Sequence, residues 1–141
     1  MYEEYLSNEK AFDEFATKQV RHEFDELSRK IIGAAIEVHR ELGPGFLENI
    51  YEEALKLEFT EHDLTFESQK EIKIKYLDTE IGSHRLDLLV ENRFIVELKA
   101  VRELNDIHFS QLRSYLKATG LKVGLLLNFA KPTLEIKRVV N

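Results

Sequence analysis

Glu97 lies ten positions after Asp87 in the stretch DLLVENRFIVELK, where the apolar positions alternate as in two short β-strands. Phe94, Val96 and Leu98 share one face of the second strand, so Glu97 and Lys99 project with Ile95 from the other. In the first strand, His84 to Val90, the alternation assigns Leu86, Leu88 and Val90 to one face and Arg85, Asp87 and Leu89 to the opposite one. Register decides whether the charges meet, because a slip of one residue sends a strand's side chains to the wrong face. A two-residue turn at Glu91-Asn92 would set Asp87 against Val96. A three-residue loop, Glu91-Asn92-Arg93, sets it against Glu97, and this is the register expected here, with Asn92 tolerating left-handed backbone.

The chain of 141 residues, 43% hydrophobic and free of low-complexity tracts, suits a globular domain with a real core. It contains no cysteine, which excludes disulfides, thiolate metal sites, iron-sulfur clusters and cysteine nucleophiles and favours a cytoplasmic setting. No apolar run approaches the roughly 18 residues that span a bilayer, and the acidic N-terminus lacks a signal-peptide pattern, so no membrane partner is expected. A net charge of −6 argues against a protein that coats nucleic acid. Lys99, Arg102, Arg113, Lys117 and Lys122 nevertheless gather in one stretch, as a local basic strip or as an ordinary solvated helix face.

Along the chain, Phe12, Phe15, Ala16, Val20 and Phe24 recur at helical spacing and mark an N-terminal helical extension, residues 1–25, which packs on its own domain or against a second copy or protein partner. Residues 26–141 read as one domain. A helix is expected from Ser28 as N-cap to Leu42, closed by Gly43-Pro44, and another from about Leu47 to Glu61. Alternation from Thr65 to Tyr76 indicates a half-buried strand ending in a turn at Asp78-Thr79. After the Asp87 hairpin come a helix over 105–119 ended by Gly120, a buried strand over 122–128, a break at Lys131-Pro132 and a last strand over 134–140. The fold class is therefore α/β: a mixed β-sheet flanked by helices in the order α-β-β-β-α-β-β, with a right-handed strand-helix-strand crossover.

Two carboxylates on neighbouring strands make a hard oxygen site suited to Mg²⁺, with Mn²⁺ as substitute. A protonated lysine cannot join the metal, but it suits the neighbouring water or a phosphate oxygen and opposes the charge that develops in phosphoryl transfer. Asp87 followed by Glu97-Leu98-Lys99 resembles the PD-(D/E)XK nuclease superfamily, with Leu86 where the proline of that name would stand. Gly45-Phe46-Leu47-Glu48-Asn49-Ile50-Tyr51 matches the GxxExxY pattern of one branch, and the preceding IGAAIEVHRELGPG, from Ile32 to Gly45, is similar to that branch as well. Gln111 and Tyr115 resemble the QxxxY helix motif of RecB-like nucleases, in the family order.

The resemblance implies a restriction-endonuclease-like core and a Mg²⁺-dependent deoxyribonuclease in which a metal-activated water attacks a phosphodiester. It implies Glu48, Asp87, Glu97 and the Leu98 carbonyl as metal ligands, with Lys99 polarising the water. Gln111 would face the site as a fourth catalytic residue beside Asp87, Glu97 and Lys99, supported by Tyr115 and Tyr51. Residues four apart stack on one helix face, which lets Gln111 and Tyr115 reach one place, and His108 shares that face.

Plainer readings stand beside these. Glu48 suits a helix's first turn by its charge alone. Tyr51 and Tyr115 suit core positions with a bonded hydroxyl. Asp87, Glu97 and Lys99 suit an ion-pair network, although the acids outnumber the cation and a metal resolves that imbalance. His39 and His108 read as surface or packed histidines rather than ligands, with a substrate contact left open for His39. The alternative to the nuclease is a catalytically silent binding or scaffold module of the same fold, acting through a protein partner.

Overall fold

The computed structural model describes residues 18–141. Helix α1 (Lys18–Leu42) and helix α2 (Glu48–Glu61) precede strands β1 (Phe66–Tyr76), β2 (Thr79–Val90) and β3 (Phe94–Lys99); helix α3 (Asp106–Thr119), β4 (Val123–Asn128) and β5 (Glu135–Val140) follow. The sheet order is β1-β2-β3-β4-β5, antiparallel except for the parallel β3–β4 pair that α3 connects. This is the expected mixed sheet flanked by helices, a PD-(D/E)XK-like α/β architecture with an N-terminal helix.

Two apolar layers hold it. On one side, Ile31, Ala34, Ala35 and Val38 of α1 and Tyr51, Leu55 and Phe59 of α2 bury against Leu88, Val90, Phe94, Val96 and Leu98. On the other, Phe109, Leu112 and Leu116 of α3 cover Leu89, Ile95, Leu126 and Val139. The parallel strands β3 and β4 are thus covered on both faces, which is why VGLLLN is almost continuously apolar. Helix α3 lies so close to β4 that a Cβ built on Gly124 would meet the Leu112 side chain at 2.8 Å. A left-handed Gly120 (φ 75°) closes α3, as its sequence indicates.

Several sequence expectations are corrected. Ser28 caps nothing: it is buried inside the continuous α1, so the division between residues 25 and 26 falls within a helix. Its neighbours Leu27 and Ile31 belong to the core, and this burial carries the helix through a residue that locally favours a cap. Of the N-terminal apolar stripe, Phe12, Phe15 and Ala16 lie outside the described residues, while Phe24 packs on Phe94 of the same domain, with ring centroids 5.5 Å apart. The first hairpin turns at Leu77-Asp78, both left-handed (φ 50° and 61°), one residue before the expected Asp78-Thr79, and β2 starts at Thr79, well before His84.

The second hairpin has the three-residue loop. Val90 pairs with Phe94, Leu89 with Ile95 and Leu88 with Val96, where the ladder ends, with Glu91 and Asn92 at φ 53° and 54°; beyond it Asp87 and Glu97 line one cavity. The alternation of β2 does not hold through Asp87, however. Leu86 joins Leu89 and Ile95 in the α3 layer while Leu88 and Val90 belong to the α1–α2 layer. The pairing with β1 passes from Lys70–Leu86 to Ser68–Leu88 across Gln69, whose φ of 53° marks a local irregularity. Here Leu86 and His84 share the α3 side with Asp87.

Candidate active site

Glu48, His84, Arg85, Asp87, Glu97, Lys99, His108, Gln111 and Tyr115 line one cavity of about 220 Å³ beside the C-terminal end of β3, floored by Leu112 and Leu126. Four elements contribute. β3 supplies Glu97 and Lys99 by strict alternation from Ile95, and the kinked β2 supplies Asp87, Arg85 and His84. The first residue of α2 is Glu48. Helix α3 presents His108, Gln111 and Tyr115 at helical spacing.

The GxxExxY stretch has a local mechanical basis. Gly43 ends α1 at φ 68° and Gly45 holds φ 115°, a conformation that side chains disfavour. Tyr51 is fully buried, stacked on Phe129 with centroids 4.5 Å apart; its hydroxyl donates to the Gly43 carbonyl (2.6 Å) and accepts from the Phe46 amide (3.1 Å). This closes the loop that delivers Glu48. Tyr51 does not line the cavity; it supports the site through this loop. Glu48 reaches across to accept from the Ala100 amide at 3.2 Å, so it does more than complement the helix dipole.

The segment after Lys99 is pinned from the other side by Asn128, which has no exposed surface. Its amide accepts from the Val101 and Ala130 backbone N–H groups (3.1 and 3.3 Å) and donates to the Val101 carbonyl (2.8 Å) and Glu135 (3.1 Å). Sequence reasoning missed this residue, since a single Asn at a strand end reads as a turn former. It also missed His84, which strict alternation placed on the face away from Asp87. His84 stacks on Tyr115 with centroids 3.9 Å apart, and its Nε2 lies 3.9 Å from Glu97 Oε1. His39 is a packed histidine, as one of its expected readings had it: it is buried, with Nε2 2.8 Å from the Lys131 carbonyl, and it does not line this cavity, where the substrate contact left open for it would lie.

Electrostatically the site centres on Glu97. The residue is 5% exposed, and Oε1 has no hydrogen-bond partner. Burial pushes its carboxyl up to about 9; the Asp87 charge and a hydrogen bond with the Asp87 carboxylate add to this, while Lys99 and a backbone hydrogen bond from Asp87 oppose it. Asp87 in turn accepts from the Leu98 amide at 2.9 Å. Burial lowers His84 and His108, with Lys99 acting in the same direction on both, and burial together with Glu97 and Asp87 raises the Tyr115 phenol.

Among the described residues no three His, Asp or Glu side chains already converge as a metal-holding group. The donor chemistry nevertheless fits a hard divalent cation. Asp87 and Glu97 offer only oxygen, burial and the Asp87 charge disfavour the ionised form of Glu97, and a buried Glu97 oxygen lacks a hydrogen-bond partner.

The crystal structure of SSO0001 is similar in fold, with 17% sequence identity and a TM-score of 0.53; the match covers 66% of this chain and 49% of that one, so this chain spans about half of its length. No curated protein matches. A family model of the PD-(D/E)XK nuclease superfamily matches residues 25–139, a stretch that contains every residue lining the cavity, and the chain belongs to that superfamily.

Proposed function

We propose that the chain is a metal-dependent nuclease of the GxxExxY branch that hydrolyses phosphodiester bonds in DNA, with Mg²⁺ as its cation and Mn²⁺ as substitute. The observation that carries this reading is the buried, unpartnered Glu97 oxygen beside Asp87, in a cavity that also holds Glu48, Lys99 and Gln111. Asp87, Glu97, Glu48 and the Leu98 carbonyl would hold the cation. When bound, it would polarise a water and offset the negative charge growing on the phosphate.

The chain's own groups do the rest. The Leu98 and Ala100 amides each engage one oxygen of Asp87 and Glu48, which fixes both carboxylates and leaves their second oxygens for the cavity. Lys99 orients the attacking water and counters developing charge on the phosphoryl oxygens. The Gln111 amide, which both donates and accepts, holds the water or a phosphate oxygen in line. Tyr115, stacked on His84, keeps the α3 wall at a fixed distance from Glu97. A second copy or a protein partner would bind through the stretch 1–25, and the setting would be cytoplasmic.

The net charge of −6 favours a second reading, a scaffold module of this fold that does not cleave. Incubation of the protein with labelled single-stranded DNA, duplex DNA and RNA in Mg²⁺ or Mn²⁺, beside Asp87→Asn and Lys99→Ala, separates the two. Cleavage lost with chelator and reduced by at least about a hundredfold in both variants is expected, since each removes charge at the reacting centre. Activity that persists in both sinks the site, and no cleavage by the unaltered chain favours the scaffold.

A further inference from the structure

One side chain in the cavity has its chemistry fixed by a bond outside it. His108 is the third residue of α3, and its Nδ1 accepts the backbone N–H of Asn105 at 3.1 Å, while the Asn105 side chain accepts from the Ile107 amide at 3.1 Å, a reciprocal cap. A ring nitrogen that accepts carries no proton, so the neutral imidazole must carry its proton on Nε2. The Nδ1 edge is turned back to the helix start, and the Nε2 edge is free of that bond on a ring that lines the cavity together with Lys99, Glu48 and Gln111. Burial and the Lys99 charge disfavour the imidazolium, and Glu48 opposes them.

We infer that His108 is a substrate-contact residue, whose capped ring donates an Nε2–H hydrogen bond to a non-bridging phosphate oxygen of the nucleic-acid strand. This rests on the nuclease reading and deepens it. A phosphodiester entering this cavity meets three carboxylates, Glu48, Asp87 and Glu97, against Lys99 and Arg85, so it needs donors. A neutral N–H supplies one without adding a cation that the same carboxylates would capture. Placed three residues before Gln111 on one helix face, His108 and Gln111 together would grip the strand at two points.

Two neutral substitutions separate this role from helix capping. Asn in place of His108 puts an amide oxygen where Nδ1 lies and nothing where Nε2 lies; Gln, a usual capping-box residue at this position, also extends an amide donor toward the Nε2 position. Binding of a fluorescent oligothymidylate in Ca²⁺, a hard cation for the same oxygen ligands, is measured by anisotropy alongside thermal unfolding. The expected result is unchanged melting for both variants, affinity weakened about tenfold in His108→Asn and retained within about threefold in His108→Gln. The ¹⁵N resonance of His108 Nε2 should report a protonated nitrogen in the free protein and shift when the oligonucleotide is added. Equal affinity of the unaltered chain and His108→Asn, or a proton found on Nδ1, overturns the inference and leaves the nuclease reading intact. Failure of the unaltered chain to bind the oligonucleotide refutes both.

Discussion

Replacing Glu97 with glutamine should remove a pH dependence of folding that the unaltered chain carries through the neutral range. In the folded chain, burial and the adjacent Asp87 raise this carboxyl from 4.5 to about 9. Between those values the folded state holds a proton that the unfolded state has released. The sign follows: the contribution is fully present below pH 4.5 and is lost as pH rises toward 9, at roughly 1.4 kcal/mol per pH unit. By pH 7 the loss is roughly 3 kcal/mol, a visible fraction of the ~5–15 kcal/mol that holds a typical domain together. Glutamine keeps the shape and can donate to Asp87 as the protonated acid does, but it does not titrate. Urea unfolding in the presence of chelator, at intervals from pH 5 to pH 8, should show Glu97→Gln gaining on the unaltered chain as pH rises, with similar slopes against urea. Parallel stability curves for the two chains would refute the reasoning, since they would mean that Glu97 ionises freely in the folded state.

Tyr51→Phe should keep the stacking on Phe129 but strand the Phe46 amide and the Gly43 carbonyl, at a cost of roughly 1–3 kcal/mol in urea unfolding and a weaker hold on Glu48 read as reduced metal affinity; unchanged values for both would remove the loop-closing role. Gly124→Val places branched carbon where Leu112 already sits, so it should destabilise by roughly 1–3 kcal/mol and lower cleavage by displacing the helix that carries Gln111; an unaffected variant would show that α3 is not seated by this contact.

What the sequence revealed and what it concealed divide along physical lines. Strand geometry in β3 was decisive because successive side chains point to opposite faces, so Ile95, Glu97 and Lys99 had to share one. Of the loop Glu91-Asn92-Arg93 only the tolerance of Asn92 for left-handed backbone was legible, which alone does not separate a three-residue loop from a two-residue turn. Helix α3 announced both ends and the face that lines the cavity. The kink at Asp87 was not legible, because it arises from Gln69 on the neighbouring strand, a tertiary event that no local pattern carries, and with it His84 and Leu86 went to the wrong face. Ser28 misled for the opposite reason: its local preference for a cap was real but outweighed by burial of Leu27 and Ile31 on either side. The hydrogen bonds of Tyr51 and Asn128 connect segments that no spacing rule relates, although the GxxExxY resemblance singled out Tyr51 without its mechanism.

Calorimetric titration of the metal-free chain with Mn²⁺ at pH 7, repeated in two buffers of different ionisation enthalpy, tests the centre of the account most directly. One cation should bind per chain and release about one proton, because a protonated Glu97 must ionise to become a ligand, and both signals should vanish in Glu97→Ala. Binding of equal strength in Glu97→Ala, or binding without proton release, would contradict the assignment of this cavity as a divalent-metal site.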